Sequence, residues 1–177
     1  MRFRHVVRGG RHLRVADPTW RSPLDGSYAA ERGGRWNPPG SFPVVYLCTT
    51  IQVARANVLR RFDGMPYSVL DLLPDRRPQL VETDLRQHRA VDVVTDAGCH
   101  AAGLPPTYPR QTDGREVGWD RCRPIGLTAW EQRETAIASR SAAARAGDEG
   151  EELAWLVHER EDRLRVHRRR PFDDWFA

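Results

Sequence analysis

"GGRWNPPGSFPVVYL", Gly33 to Leu47, is the stretch from which the rest of the chain is read. Gly33 and Gly34 permit a positive φ or a close approach of the backbone to a neighbour, freedoms that a Cβ removes. Pro38 and Pro39 stiffen the exit. Between them stands Arg35, whose planar fork suits bidentate binding of phosphate or carboxylate. Beside it, Trp36 offers a stacking face. The run "VVYLC" (Val44 to Cys48) then reads as a buried strand bounded by proline and threonine. A stiff turn that delivers a guanidinium to a strand end is a preorganised anion site. The same residues also fit an arginine that caps carbonyls in an irregular turn, and the turn alone leaves both readings open.

Outward from that unit, Thr49 or Thr50 caps a helix running to about Phe62. Its apolar stripe is Ile51, Ala54, Val58 and Phe62, and Gly64 and Pro66 end it. Upstream, "RFRHVV" and "HLRVAD" alternate as two short strands around Gly9-Gly10. Downstream, "QLVETDL" and "AVDVVTD" read as two more, with turns between them. Residues 97–118 are rich in Gly, Pro and Thr and read as a long loop packed over something. "DRCRPIGLTAWEQR" predicts a helix from Pro124, "TAIASRS" a strand, "ARAGDEGEE" a polar loop and "LAWLVH" an apolar segment. Short strands interleaved with two modest helices predict an α+β fold, one domain over residues 1–177.

Composition removes several function classes. All 28 basic residues are arginine, so there is no Walker A lysine, Schiff base or lysine general base. Cys48, Cys99 and Cys122 form no CxxC pair, which suits a reducing cytoplasm rather than a disulfide framework. The six histidines lack metal-ligand spacing, so no metal is expected. Cys99-His100, adjacent in a glycine-containing segment, reads as loop rather than as a catalytic pair. No apolar run reaches the ~20 residues of a membrane span, and no apolar segment follows the basic N-terminus as in a secretory signal. The net charge of +4 is spread along the chain, and the dense run "RVHRRRP" reads as a solvated tail, so direct nucleic-acid binding is not expected. Trp119, Trp130, Trp155 and Trp175 read as core or interface anchors.

The stretch "LRVADPTWRSPLDG…ERGGRWNPPGSFPVVYL" resembles the N-terminal half of the RES domain family, toxins of bacterial toxin–antitoxin pairs. The likeness is dense from about Leu13 to Leu59 and looser from Trp119 to Val157. It implies an ADP-ribosyltransferase-like mixed sheet with a few short helices, and NAD as a substrate cleaved at the nicotinamide–ribose bond. Water, phosphate or a protein would accept the ADP-ribose. By resemblance, Arg14 and Arg35 bind the NAD pyrophosphate with Trp36 alongside. Tyr46 stacks on nicotinamide or bonds a ribose hydroxyl, and Ser141 orients the nicotinamide ribose; Ser139 takes that place if the strand is shifted by two. The implied partner is a cognate antitoxin with a helix-turn-helix domain, assembled on toxin homodimers in the cytoplasm.

One position departs from the family pattern. Where the helix after "VVYLC" should carry a glutamate, this chain has Asn57. Cleaving the glycosidic bond builds oxocarbenium-like charge, which a carboxylate stabilises and an amide does not. Two readings follow. Either a carboxylate reaches the site from elsewhere, with Glu134, Glu151 and Glu152 as candidates, or the chain is a weakly active or inactive protein that binds NAD or ADP-ribose.

Overall fold

The apolar runs of the sequence become strands buried on both faces. On β2 (Val44–Cys48), Val44 and Tyr46 pack with Ile137 and Ala154, while Val45 and Leu47 pack with Ala136, Ala138 and Leu153. With both sides covered, the strand has no solvent face, and the sequence shows a continuous run rather than an alternation. The same holds for β4 (Ala136–Arg140) and β5 (Glu151–Leu156).

The computed structural model describes residues 1–143 and 150–176. Within them, β1 (His5–Ala16), β2, β3 (Gln79–Val93), β4, β5 and β6 (Arg168–Arg170) pair in the order β1-β2-β5-β4-β3-β6, and β1 also pairs with β3. The pairing therefore runs full circle through β1, β2, β5, β4 and β3. All ladders are antiparallel except β3–β4, which makes the sheet mixed. Four helices lie against it: α1 (Ser27–Arg32), α2 (Ile51–Arg61), α3 (Asp96–Ala101) and α4 (Trp119–Glu131). The fold is α+β, as expected.

Local sequence misleads at five places. Gly9-Gly10 is no turn: β1 continues through it, paired with β3 from His5↔Val91 to Ala16↔Gln79, with a register shift between Arg8 and Gly10. A bulge absorbs the extra residue because a long partner strand keeps the ladder going. For the same reason "QLVETDL" and "AVDVVTD" are one strand, the polar residues between them being held extended by β1. Helix α4 begins five residues before Pro124, which sits inside it, and α3 occupies part of the expected loop. "RRR" at 168–170 pairs with β3, and Arg169 donates to the carbonyls of Trp20 and Arg21, so this run is not a free tail.

Thr50, one of the two expected caps, accepts a 3.2 Å hydrogen bond from the Val53 amide and starts α2. The helix buries Val53, Ala54 and Val58 against β1 and the C-terminal Phe172 and Trp175. The segment expected as a polar loop lies partly outside the described residues (144–149), and its end, Glu151 and Glu152, belongs to β5.

Candidate active site

The turn before β2 is built around Tyr46. Gly33 has φ +75° and stands against Pro39, where a Cβ would collide with the ring. Gly34 passes so close to Tyr46 that a Cβ there would meet the phenol oxygen. That hydroxyl donates to Asn37 Oδ1 at 2.7 Å and accepts from the Trp36 amide at 2.9 Å. Asn37, fully buried, donates in turn to the carbonyls of Ala29 and Phe42. Burial raises the Tyr46 pKa above its usual value, so the phenol acts as a neutral hydrogen-bonding post. Its ring lines the adjacent cavity; its hydroxyl holds the turn.

Trp36 takes a different place from the one its chemistry suggested. It is 1% exposed, packs beside Tyr108 with ring centroids 6.1 Å apart, and does not line the cavity. A ring so enclosed has no face left for a ligand. The stacking surfaces at the cavity are instead Trp20, Tyr28 and Trp119. Trp119, expected as an anchor, is 45% exposed there, with the Arg123 guanidinium 5.1 Å above it.

In front of the turn lies a cavity of about 390 Å³, within the range of small-molecule sites. Arg14, Arg35, Arg60 and Arg61 line it, against one carboxylate, Glu152. Such a surplus of one sign draws in anions. Arg14, on β1, is 6% exposed and its Nη1 has no hydrogen-bond partner among the described residues. Burial, reinforced by the charge of Arg61, pulls its pKa down to about 10. It is therefore still charged at neutral pH and enclosed, with the Trp20 ring 5.5 Å from its guanidinium and no carboxylate within ion-pair distance among the described residues.

Arg35 is held from behind. Nη1 donates to the Val117 carbonyl at 3.2 Å, and Nη2 forms an ion pair with Glu116, which also takes Arg60 at 2.6 Å. Burial opposes the Arg35 charge, but Tyr108 and Glu116 outweigh it and keep the pKa above the arginine norm. The segment before α4 thus packs over the site, as the Gly- and Pro-rich composition suggested, and clamps Arg35 with both a carbonyl and a carboxylate.

Asn57 lines the cavity on the face of α2 towards β2. Its Nδ2 donates to Glu152 Oε1 at 2.9 Å and lies 3.4 Å from Cys48 Sγ. Ser141 Oγ donates to the same Glu152 oxygen at 2.8 Å. Asn57 and Ser141 therefore meet at Glu152, which stands opposite Cys48 in the β2–β5 register. Ser141 is buried and touches the site through that carboxylate; Ser139 is also buried, away from the cavity, and its hydroxyl has no partner among the described residues. Of the other two carboxylates considered, Glu134 accepts from His5 at 2.9 Å and Glu151 is bound by Arg8 at 2.7 Å, and neither lines the cavity. The Cys48 thiol is pushed up to about 12 by burial and by Glu152, which makes it an unreactive wall.

The sequence reading missed Arg60, Arg61 and Glu116. Helical spacing gave a signal for the first two, since positions three and four after Asn57 share its face. Glu116 had no local signal, because its role depends on a loop closing from 81 residues away. Among the described residues no cluster of His, Cys, Asp and Glu forms a metal site, and no helix is long and apolar enough to cross a membrane.

Residues 11–174 match the family model of the RES domain. Proteins named NAD(+) phosphorylase MbcT, from Mycobacterium bovis and Mycobacterium tuberculosis, are 29% identical over 110 residues. That match spans 62% of this chain and 56% of theirs, so it covers little more than half the length of these relatives. The crystal structure of the M. tuberculosis MbcT-MbcA toxin-antitoxin complex superposes with a TM-score of 0.76 over 98% of this chain and 92% of that one, at 21% identity. At that identity the likeness establishes the fold.

Proposed function

This chain belongs to the RES domain family, and on that premise we propose that it is a toxin that degrades NAD by cleaving the nicotinamide–ribose bond. The observation that carries the reading is Arg14: a buried, charged guanidinium whose Nη1 has no hydrogen-bond partner among the described residues, facing a cavity lined by three more arginines. An enclosed charge without a partner is costly unless a ligand of opposite sign completes it. A pyrophosphate supplies two such charges and several acceptors for arginine forks. Trp20, Tyr28 and Trp119 give flat surfaces for the rings at either end of a dinucleotide.

In this reading Arg14 and Arg35 bind the pyrophosphate, the Tyr46 ring bounds the nicotinamide ribose, and Asn57 and Ser141 act at the reacting end. Trp36 belongs to the support of the turn. The likeness to the mycobacterial NAD(+) phosphorylases favours phosphate as the acceptor. By the same likeness, the partner is an antitoxin that occludes the cavity; a helix-turn-helix domain on that antitoxin, toxin homodimers and a cytoplasmic location complete the proposal.

Incubating the purified protein with NAD, with and without inorganic phosphate, and following nicotinamide by chromatography tests it. Nicotinamide release that accelerates with phosphate is the expected outcome. Binding of NAD without release points to the inactive-binder reading that Asn57 raised. Neither binding nor release overturns both.

A further inference from the structure

From the convergence of Asn57 and Ser141 on one oxygen of Glu152, we infer that Glu152 is the catalytic carboxylate of this chain, supplied by strand β5 instead of helix α2. The inference rests on the NAD-cleaving reading above. Glu152 is the acidic residue that lines the arginine-rich cavity. The alternatives are otherwise committed: Glu134 to His5, Glu151 to Arg8, and Glu116 to Arg35 and Arg60.

The local geometry fits a residue that must be aimed. Oε1 receives both the Asn57 amide at 2.9 Å and the Ser141 hydroxyl at 2.8 Å, which fixes the carboxylate plane from two directions. Oε2 accepts no hydrogen bond from the described residues, which leaves it free for a ligand. Asn57 thus has a purpose as an amide. A carboxylate at 57 would face Glu152 at hydrogen-bond distance and the two charges would oppose each other, whereas the amide donates. Asn57 and Ser141 are positioning residues for Glu152.

The chemistry balances. As the C1′–N bond breaks, its electron pair leaves on the pyridine nitrogen, nicotinamide departs neutral and positive charge develops on the ribose. The Glu152 carboxylate stabilises that charge without a change in its own protonation. A phosphate oxygen, already deprotonated, closes the new bond at C1′ with no proton to move. When water is the acceptor, its proton passes to Glu152 and from there to solvent.

E152Q separates charge from shape, because its amide oxygen still accepts from Asn57 and Ser141. The expected result is a fall in kcat of roughly 10²–10⁴-fold, the usual worth of such a group, with NAD affinity by calorimetry within threefold of wild type and an unchanged melting temperature. E134Q, at the His5 pair, leaves the rate as it was. N57A and S141A each lower kcat with NAD affinity little changed, and adding either to E152Q lowers it no further, because both act through Glu152; losses that add in the double variants indicate a merely structural role and count against the inference. An E152Q protein that turns over within fivefold of wild type overturns the assignment and leaves the NAD reading standing. A wild-type protein inert towards NAD overturns that reading, and this one with it.

Discussion

Asp92 and Arg14 are both charged and nearly sealed from solvent, yet the fold treats them in opposite ways. Asp92, at the β3–α3 corner, accepts from the amides of Val94 and Thr95 at 2.9 Å each and from the Thr95 hydroxyl at 2.5 Å. Burial works to raise its pKa, but these donors outweigh it and the net shift is downward. Arg14, at the cavity, has an unpaired Nη1 and a pKa drawn down to about 10. One site uses a buried charge to hold a corner. The other leaves one nitrogen of a buried charge without a hydrogen bond among the described residues, its guanidinium facing only the Trp20 ring, and on the proposed reading a ligand removes that penalty. On the proposed reading, the contrast marks Arg14 as a charge kept for a ligand and Asp92 as one kept for the fold.

Arg14→Met attacks the contrast at its strongest point. A folded pKa below the unfolded one means that the charged arginine destabilises the fold at every pH below about 10, a burden that lifts as pH rises through that value. The size of the burden is on the order of 3 kcal/mol. Replacing the guanidinium with an apolar side chain should therefore raise the melting temperature of the ligand-free protein, by about 2–4 °C per kcal/mol recovered. The same change should weaken NAD by roughly a hundredfold, the loss of one or two charge-assisted hydrogen bonds. Calorimetry and thermal melts on one sample read both. A variant that is less stable than wild type, or that still binds NAD normally, breaks the comparison.

Asp92→Ala is the mirror experiment, and its effect falls on stability alone. It strips the Val94 and Thr95 amides of their acceptor at a buried corner, at a cost of roughly 1–3 kcal/mol for each amide left unpaired. Because the folded pKa of Asp92 is depressed, its contribution is complete above the ordinary carboxylate range and is lost as pH falls through the lowered folded value. Urea titrations from neutral to acid pH should show wild type and Asp92→Ala converging at the acid end. NAD affinity should not change, since Asp92 lies away from the cavity.

The same division explains how much of the molecule was legible in its sequence. Arg35 stood out because the turn that carries it is written in contiguous residues with strong local chemistry, whereas Arg14 on β1, Tyr46 on β2 and Asn57 on α2 were named by resemblance to the RES domain family. Each of these four lines the cavity. Ser141 was found by resemblance, but its real neighbour, Glu152, was one of three carboxylates that sequence alone could not rank. The ranking needs the β2–β5 and β4–β5 registers, which bring Glu152 opposite Cys48 and Ser139. Trp36 was misjudged because an aromatic beside an arginine carries no mark of which face is buried. The strands failed in the same manner: Gly9-Gly10 reads as a turn until a 15-residue partner strand lies alongside. Period and punctuation report what a segment does by itself, whereas long pairings and loop closures are decided by residues far away in the chain.

Glu116 stands between the two regimes and gives the finest test. It is a satisfied carboxylate, like Asp92, but the groups that satisfy it are Arg35 and Arg60 of the cavity. Burial opposes its ionisation, and the bonds from Arg60 and Arg35 more than compensate, so its pKa is lowered. In the ligand-free protein this carboxylate holds the two guanidinium groups that a pyrophosphate needs, so it competes with the ligand for their charge. Glu116→Gln keeps a hydrogen-bonding oxygen for Arg35 and removes the competing charge. The pair with Arg60 is part-exposed, which limits the gain to about 1 kcal/mol, or roughly fivefold tighter NAD binding. The effect should shrink as salt is raised from 50 to 500 mM, because screening erases the competition that the substitution relieves. If Glu116→Gln instead weakens NAD at low salt, the carboxylate is a scaffold that aims Arg35, and it belongs with Asp92 on the structural side of the division.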